Sequence, residues 1–474
     1  MSRGRRLISN TVILGAGTFA SKVLVFLLMP LYTSILSTEE FGVADILTQT
    51  ANLLIPLAAV GICDGLFRFV LDTDEENGKE RRSIFTSATL TVLAGGAVTL
   101  ALIQALRAFD VFDGYIFLVA AYVLCANLHS IAANFLRAIG KTGLFALQGM
   151  INTALTVGFN ILFLVVFDMG TTGYILSVVL SDLCVTAGLF VAAGLYRYFS
   201  LRSFNKDTLR VMLKYSIPYI PTTIMWLITA ASDRYIVTAY SGVAENGLYA
   251  AAYKLPTLLI LVCGVFIEAW QFSVVKDADD QTRSDFFSSV WRNYMGIIFM
   301  GASVIIAGSR ILTGILLADS YFASWKYVPV LCMAMVFSTF VSFMGSVYFL
   351  EKKSVMSMVT SLAGAAVNVV LNFMLIPERG AMGAAVATLI SYLAVFIIRA
   401  YDTRFYVRFD MKPIRLILNT VLILAQTVVM VMSIPYWRYM QIGFVLVILV
   451  LNGREIVMTV AELGKKMLKK SKKI

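Results

Sequence analysis

Histidine is almost missing from this chain: of 474 residues, only His129 is one. No histidine-rich metal site and no Ser/His/Asp constellation drawn from several histidines can therefore be assembled. His129 is expected as a hydrogen-bonded interior group. Cysteine is scarce as well. Cys63, Cys125, Cys184, Cys263 and Cys332 all fall inside apolar runs without metal-type spacing, so they read as small apolar filler. Charged residues make up 14% of the chain, where soluble domains carry about 25%. No polar stretch between apolar runs exceeds about 15 residues, which leaves no room for a sizeable extramembrane domain. Gly140, Lys141 and Thr142 form a GKT triplet, but Phe135 stands where a phosphate-binding loop needs its first glycine. ATP-driven transport by this chain alone is excluded, and no enzymatic activity and no cofactor are expected.

What the chain has in abundance is hydrophobic sequence. Apolar residues make up 59%, against about 45–50% in soluble domains, and the mean hydropathy is +0.82. Apolar runs of about 20 residues match a hydrocarbon core of about 30 Å at 1.5 Å per residue. They lack the two-residue alternation of a membrane barrel. The expected fold is an all-α integral membrane protein. The first run, 7–36, follows Arg3, Arg5 and Arg6 but is too long for a signal peptide and has no clear cleavage site, so it is expected as the first helix.

Fourteen spans are expected: 8–35, 41–71, 83–106, 114–137, 143–167 and 172–198, then 211–240, 246–273, 288–318, 325–350, 354–376 and 381–401, and finally 414–434 and 437–458. The basic residues test this count, because short cytoplasmic loops carry the excess of Lys and Arg. Of 39, 30 fall on one side and five, Arg107, Arg310, Lys326, Arg379 and Arg438, on the other. Both termini are thus expected in the cytoplasm. The net charge of +11 is explained by these loops and a tail that can rest on anionic lipid, with no nucleic acid needed.

The chain also repeats itself. The turn before Gly42 recurs before Gly247, and Lys141, Asn160, Gly170 and Gly173 have counterparts at Lys353, Asn372, Gly380 and Gly383. An offset covering six spans returns the chain to the same side, so the two halves are expected to be parallel repeats. The expected organisation is an N-lobe over 1–200, a C-lobe over 201–410, two extra helices over 411–460 and a basic tail over 461–474.

Four basic residues lie away from the ends of the spans: Lys22, Arg68, Arg234 and Lys254. An ionisable group inside a span costs about 2.5–3.5 kcal/mol on insertion scales, which makes it a functional candidate with a partner to be found. One reading has Lys22, Arg234, Lys254 and Arg68 lining an aqueous cavity between the halves and attracting an anionic group. The other is internal pairing with Asp64, Asp182, Asp233 or Glu268, and Asp64 and Arg68 are spaced i, i+4 for such a pair. The same four acids are candidates for a coupling ion, proton or sodium. Asn52, Asn160 and Asn372 could contact sugar hydroxyls, or, with Asn127, Asn152 and Asn368, link helices. Gly61 and Gly65 form a GxxxG that indicates close helix packing.

The segments RRLISNTVILGAGTFASKVLVFLLMPLYTSILSTEEFGVADI and SDRYIVTAYSGVAENGLYAAAYKL resemble the half-starts of Wzx-type polysaccharide flippases. These belong to the multidrug, oligosaccharidyl-lipid and polysaccharide (MOP) exporter superfamily, which includes the MurJ-type lipid II flippases. The resemblance covers the whole chain in layout and is most specific over 7–50 and 211–256. It implies a V-shaped pair of six-helix lobes with alternating access. It also implies translocation of an undecaprenyl-diphosphate-linked oligosaccharide across the bacterial cytoplasmic membrane for cell-surface polysaccharide biosynthesis, with polymerase or assembly proteins as further partners. Lys22 and the Asp233, Arg234 pair stand where the lipid II branch places cations for the diphosphate, but that branch has arginines where Lys22 is alone, which favours a general polysaccharide flippase. A lipid II flippase and a MATE-like multidrug or cation antiporter are the alternatives, and a non-transporting scaffold is a third.

Overall fold

Ser37 closes one apolar helix and opens the next. In the computed structural model, which describes residues 26–73, 78–104, 114–217, 220–261, 263–264, 280–351 and 353–453, α1 (Met29–Ile35) ends just before it and α2 (Thr38–Ala58) begins just after. The Ser37 hydroxyl accepts from the Glu40 N–H at 3.1 Å, and the Glu40 carboxylate accepts from the Ser37 N–H at 2.9 Å. That reciprocal cap satisfies two N–H groups that a helix start leaves open. Lys22, Glu268, the segment 461–474 and the side chain of Asp64 lie outside the described residues.

The expected span 41–71 is two helices. Val60 and Gly61 have φ of 51° and 65°, so α2 stops and α3 (Ile62–Leu71) starts afresh. Then come α4 (Gly78–Ile103), α5 (Ile116–Ala138), α6 (Thr142–Asn160) with a π-helical turn over Ile161–Val166, α7 (Gly170–Ala192), α8 (Lys206–Ser216) and α9 (Ile220–Ser241). The GxxxG spacing acts here: a Cβ on Gly61 would lie 3.1 Å from the Ser216 carbonyl, and one on Gly65 would collide with the Ser216 hydroxyl. Glycine at both positions lets α8 approach α3 closely.

After α9 come α10 (Val243–Lys254), α11 (Asp280–Leu316), α12 (Val328–Leu350), α13 (Ser354–Thr403), α14 (Pro413–Met432) and α15 (Trp437–Gly453). The 50-residue α13 is two spans, because Gly380 breaks it with φ 55° and ψ −140°. Counted so, described helices run through twelve of the fourteen expected spans, α1 lies at the end of the first, 8–35, and α10 at the start of the eighth, 246–273. Nine of the described helices are long and apolar enough by themselves to cross a bilayer, and no strand occurs among the described residues. The all-helical membrane fold expected from the sequence is the fold observed.

The chain forms two compact units, 1–235 and 236–474. In the first, two apolar layers stack along the helices. One layer joins Ile46, Leu47 and Ala51 of α2 to Val119 and Val123 of α5 and Ile175 and Val179 of α7. The other joins Leu66 of α3, Phe85 of α4, Ile131 and Phe135 of α5, Val185 of α7 and Met212 of α8. Between the two layers lie the polar residues Asn127, His129 and Ser130 of α5 and Ser181 and Asp182 of α7. The second unit is built around α12, most of which is buried. Trp291 and Tyr294 of α11 pack on Phe340 and Phe343 of α12 with ring centroids 5.0–6.2 Å apart, and Phe396 of α13 stacks on Trp291 at 6.3 Å. Large apolar side chains such as Phe117, Val166, Val191, Ile311, Ile315 and Met374 point outward. For a bundle solvated by lipid that is the favourable side for them.

Candidate functional site

Burial forces Arg234 to find partners, because a guanidinium inside a helical bundle has no water to solvate it. It is 5% exposed, and its Nε lies 3.0 Å from Oδ2 of Asp45 while its Nη1 donates to Oδ1 of Asp233 at 3.0 Å. The Arg234 N–H also donates to Asp233 Oδ1 at 3.0 Å. Asp45 lies seven residues after the start of α2 and Arg234 seven residues before the end of α9. Both are thus about 10 Å of helix from those helix ends. The next residue adds a neutral tie. Thr50 donates its hydroxyl to Ile46 O at 2.7 Å, so at 2.6 Å the Tyr235 hydroxyl donates to Thr50.

Arg68, another of the residues singled out from the sequence, is exposed on α3 and pairs at 3.3 Å with Asp72, also exposed. Such an exposed pair contributes little to stability. Lys254 is half-buried in the last turn of α10, in the second unit. Asn52 is half-buried on α2. Asn160, 1% exposed, donates to Thr156 O at 2.7 Å, and Asn372, fully buried, donates to Asn368 Oδ1 at 3.1 Å. Each of these two hydrogen bonds runs along the asparagine's own helix.

Two features were not singled out from the sequence, and a third joins residues singled out separately: His129, expected as a hydrogen-bonded interior group, and Asp182, a candidate pairing or coupling acid. Asp45 was passed over, although an acid seven residues into one helix and an arginine seven residues before the end of another is a signal that could have found it. His129, Gln148, Asn152 and Asp182 form a second polar cluster: Nδ1 of His129 lies 2.9 Å from Asp182 Oδ1, its Nε2 lies 2.6 Å from Gln148 Oε1, and Asn152 Nδ2 donates to Asp182 Oδ1 at 3.0 Å. Arg399, counted from the sequence among the cytoplasmic loop residues, is instead 2% exposed inside α13. Its Nε donates to Thr360 Oγ1 at 3.0 Å, its Nη1 to Val341 O at 2.9 Å, and its Nη2 to Ser361 Oγ at 2.9 Å and Ser357 O at 3.2 Å. Its helix runs on to Thr403, which is why a residue at the end of the apolar run remains interior.

Among the described residues no group of three or more His, Cys, Asp or Glu side chains could hold a metal ion. A cavity of about 410 Å³ lies at the loop after α13, lined by Thr403, Arg404, Phe405, Arg408 and Phe409 among others. The pairing chemistry of the first unit is thus one arginine shared by two carboxylates about two turns from the start of α2 and the end of α9, and a histidine-carboxylate pair midway along α5 and α7.

Comparison with known proteins gives this arrangement its family. The family described as polysaccharide biosynthesis protein matches residues 7–270. Among solved structures, the lipid II flippase MurJ in an inward closed conformation aligns at 14% identity over 95% of this chain and 100% of its own, with a TM-score of 0.71. An inward-facing multidrug resistance transporter of the MATE family aligns at 14% identity over 81% of this chain and 95% of its own, with a TM-score of 0.67. At such identities the likeness is one of fold. A comparison with curated proteins finds no match. Since the matched stretch is more than half of the chain, the protein belongs to the polysaccharide biosynthesis protein family and is a multi-pass membrane protein with the fold of the MOP exporters.

Proposed function

We propose that this protein is an alternating-access flippase. It carries an undecaprenyl-diphosphate-linked oligosaccharide from the cytoplasmic to the outer leaflet of the bacterial cytoplasmic membrane, for cell-surface polysaccharide biosynthesis, and it catalyses no bond making or breaking. The observation that carries this reading is Arg234: in this member of a family tied to polysaccharide biosynthesis, a buried arginine inside the spans is held by Asp45 and Asp233.

The physics of the task supports it. A diphosphate cannot enter hydrocarbon without groups that replace its water. A guanidinium is suited to that, since its planar fork matches phosphate oxygens. Arg234 waits against carboxylates, and the diphosphate takes their place when the site opens, so the cation is never left bare. Lys22 and Lys254 are the proposed additional cations. Asp45 and Asp233, once released, repel the diphosphate and assist its departure. A coupling ion bound by intramembrane acids supplies the direction. Both termini lie in the cytoplasm in this reading, and membrane lipids solvate the polyprenyl tail.

The test is flipping of a fluorescent undecaprenyl-diphosphate oligosaccharide in proteoliposomes, read by accessibility of the label to an external quencher. Wild type should flip it, and Arg234→Gln should lose most of the rate. Full activity with both Lys22 and Arg234 replaced by glutamine would discard the mechanism. The first unit also buries Asp45, Asp182 and Asp233, which favours a second reading as an antiporter for organic cations. Efflux of a cationic dye without lipid flipping would establish that one instead.

A further inference from the structure

The His129 cluster sits where an uncompensated charge costs most. His129 is near the middle of the 23-residue α5 and Asp182 near the middle of the 23-residue α7, at the polar level between the two apolar layers. Asp182 and Gln148 are 6% and 7% exposed. The side chain of His129 retains 16% exposure, so the pair is enclosed without being sealed.

Proton counting then decides what the cluster holds. The Gln148 side-chain oxygen only accepts, and an ionised carboxylate only accepts. His129 faces an acceptor on each ring nitrogen, Gln148 Oε1 at 2.6 Å and Asp182 Oδ1 at 2.9 Å. A neutral imidazole has one N–H and can serve one of them. With the Gln148 side-chain oxygen turned toward Nε2, both contacts are served only when one further proton lies in the Nδ1–Oδ1 contact, either as imidazolium with carboxylate or as imidazole with carboxylic acid. In both forms the pair is net neutral. Without that proton, two lone pairs face each other at 2.9 Å and a net negative charge is left midway across the spans.

We infer that His129 and Asp182 form a binding site for one transported proton, and that Gln148 reports its presence to α6. The binding step is balanced simply: one proton joins the pair from water, no other bond is made or broken, and the charge of the pair goes from minus one to zero. When the proton leaves, the remaining N–H turns to Asp182 from Nδ1, and Gln148 must rotate its amide so that its NH2 donates to the bare Nε2. Occupancy on α5 and α7 is thereby tied to a side-chain rearrangement on α6. The Asn152 side-chain oxygen is buried with no hydrogen-bond partner among the described residues, beside the Asp182 carboxylate to which its own NH2 donates. It is an acceptor already in place for a water that carries the proton.

A proton fits this site and a sodium ion does not. Hard cations take oxygen ligands, whereas Asp182 Oδ1 is met by an imidazole nitrogen and by the Asn152 NH2. Among the described side chains, the charge acting on His129 is that of Asp182. Tyr122 and Cys125, on α5 itself, are the other titratable groups that feel the Asp182 charge. From α6 the amides of Gln148 and Asn152 meet the pair. From α2, α3 and α4 no described titratable side chain acts on His129.

The use of this proton in transport rests on the flippase reading, while its binding does not. Because His129 is the one histidine of the chain, the full-length protein on a histidine-free affinity tag, labelled with ¹⁵N-histidine in nanodiscs, gives a single imidazole. Wild type at low pH should show a bonded, slowly exchanging proton at Nε2 together with one held between Nδ1 and Asp182, and as the pH rises the Nε2 proton should be lost and the Nδ1 one kept. In Asp182→Asn the doubly protonated state should be missing at the same pH, with Gln148→Glu as a second variant that alters the Nε2 signal and keeps the Nδ1 one. An imidazole that carries a single proton throughout, or whose titration is unchanged by Asp182→Asn, overturns the site. In the liposome assay, the ratio of flipping with and without an imposed pH gradient should exceed unity in wild type and fall to unity in His129→Gln and Asp182→Asn. An equal response in all three overturns the coupling role. Wild-type liposomes that flip no lipid would instead defeat the flippase reading, and the imidazole spectrum would still decide the proton site.

Discussion

A Cβ on Gly170 would lie 2.5 Å from Oε1 of Glu40, and 205–210 positions further along the chain a Cβ on Gly380 would lie 3.6 Å from Oε1 of Glu245. Both glycines have positive φ, 52° and 55°. The same carboxylate-against-glycine contact is therefore built once in each unit. Thr171 secures the first copy by donating to Glu40 O at 3.0 Å, and the Tyr327 hydroxyl secures the second by donating to the Glu245 carboxylate. A repeat legible in sequence as scattered matching residues is thus a repeated tertiary contact.

The two glycines of the second copy should respond differently to alanine. Gly380→Ala meets Ser241 Oγ at 3.2 Å, which can rotate away, so its cost is the backbone itself, φ 55° with ψ −140°, close to a region that only glycine adopts readily, about 1–3 kcal/mol. Gly383→Ala would drive its methyl into the Leu375 carbonyl, which belongs to the backbone and cannot rotate. Thermal unfolding in detergent should rank Gly383→Ala well below Gly380→Ala, and equal melting temperatures would contradict the contact.

Arg234 and Asp45 should behave as a coupled pair. Arg234→Gln leaves two carboxylates without their cation and should destabilise by about 3–5 kcal/mol, the usual loss when one partner of a buried pair is removed. Adding Asp45→Asn should recover part of that loss. Strict additivity in a double-mutant cycle read by thermal unfolding would show that the two do not interact.

Tyr235→Phe removes one donor while leaving the Thr50 hydroxyl bonded to Ile46 O. A loss of about 1 kcal/mol is expected, the ordinary worth of a neutral hydrogen bond. A loss as large as that of Arg234→Gln would mean the tyrosine, not the ion pair, fastens α9 to α2.

Arg399→Lys should be as damaging as Arg399→Met, although it keeps the charge. The four neutral acceptors around Arg399 are spread over α12 and α13, and an ammonium cannot reach them in the fork geometry of a guanidinium. A lysine variant with wild-type melting behaviour would show that charge alone matters there.

Helix positions were legible because hydropathy and loop charge follow from the membrane itself, and Gly380 was legible as a turn because it recurs with Gly170. Pairings were harder. Asp45 meets Arg234 across 189 positions, and His129 meets Asp182 across 53, distances over which neither hydropathy nor helical period carries information. Arg68 illustrates the converse. Its i, i+4 spacing to Asp64 suggested a pair, and the partner observed is Asp72, the equally spaced residue on the other side. Of Asp64 only the backbone is described.

The polar level between the two apolar layers has an electrical consequence. A charge arriving at His129 from either face traverses about half the thickness of the bundle, hence about half of the membrane potential. At about 2.3 kcal/mol per elementary charge per 100 mV for full crossing, occupancy of the pair would shift by about 1.2 kcal/mol for each 100 mV. A proton held at that depth makes the protein a voltmeter as well as a pH meter, with an energised membrane altering its loading even when the proton concentrations on the two sides are equal.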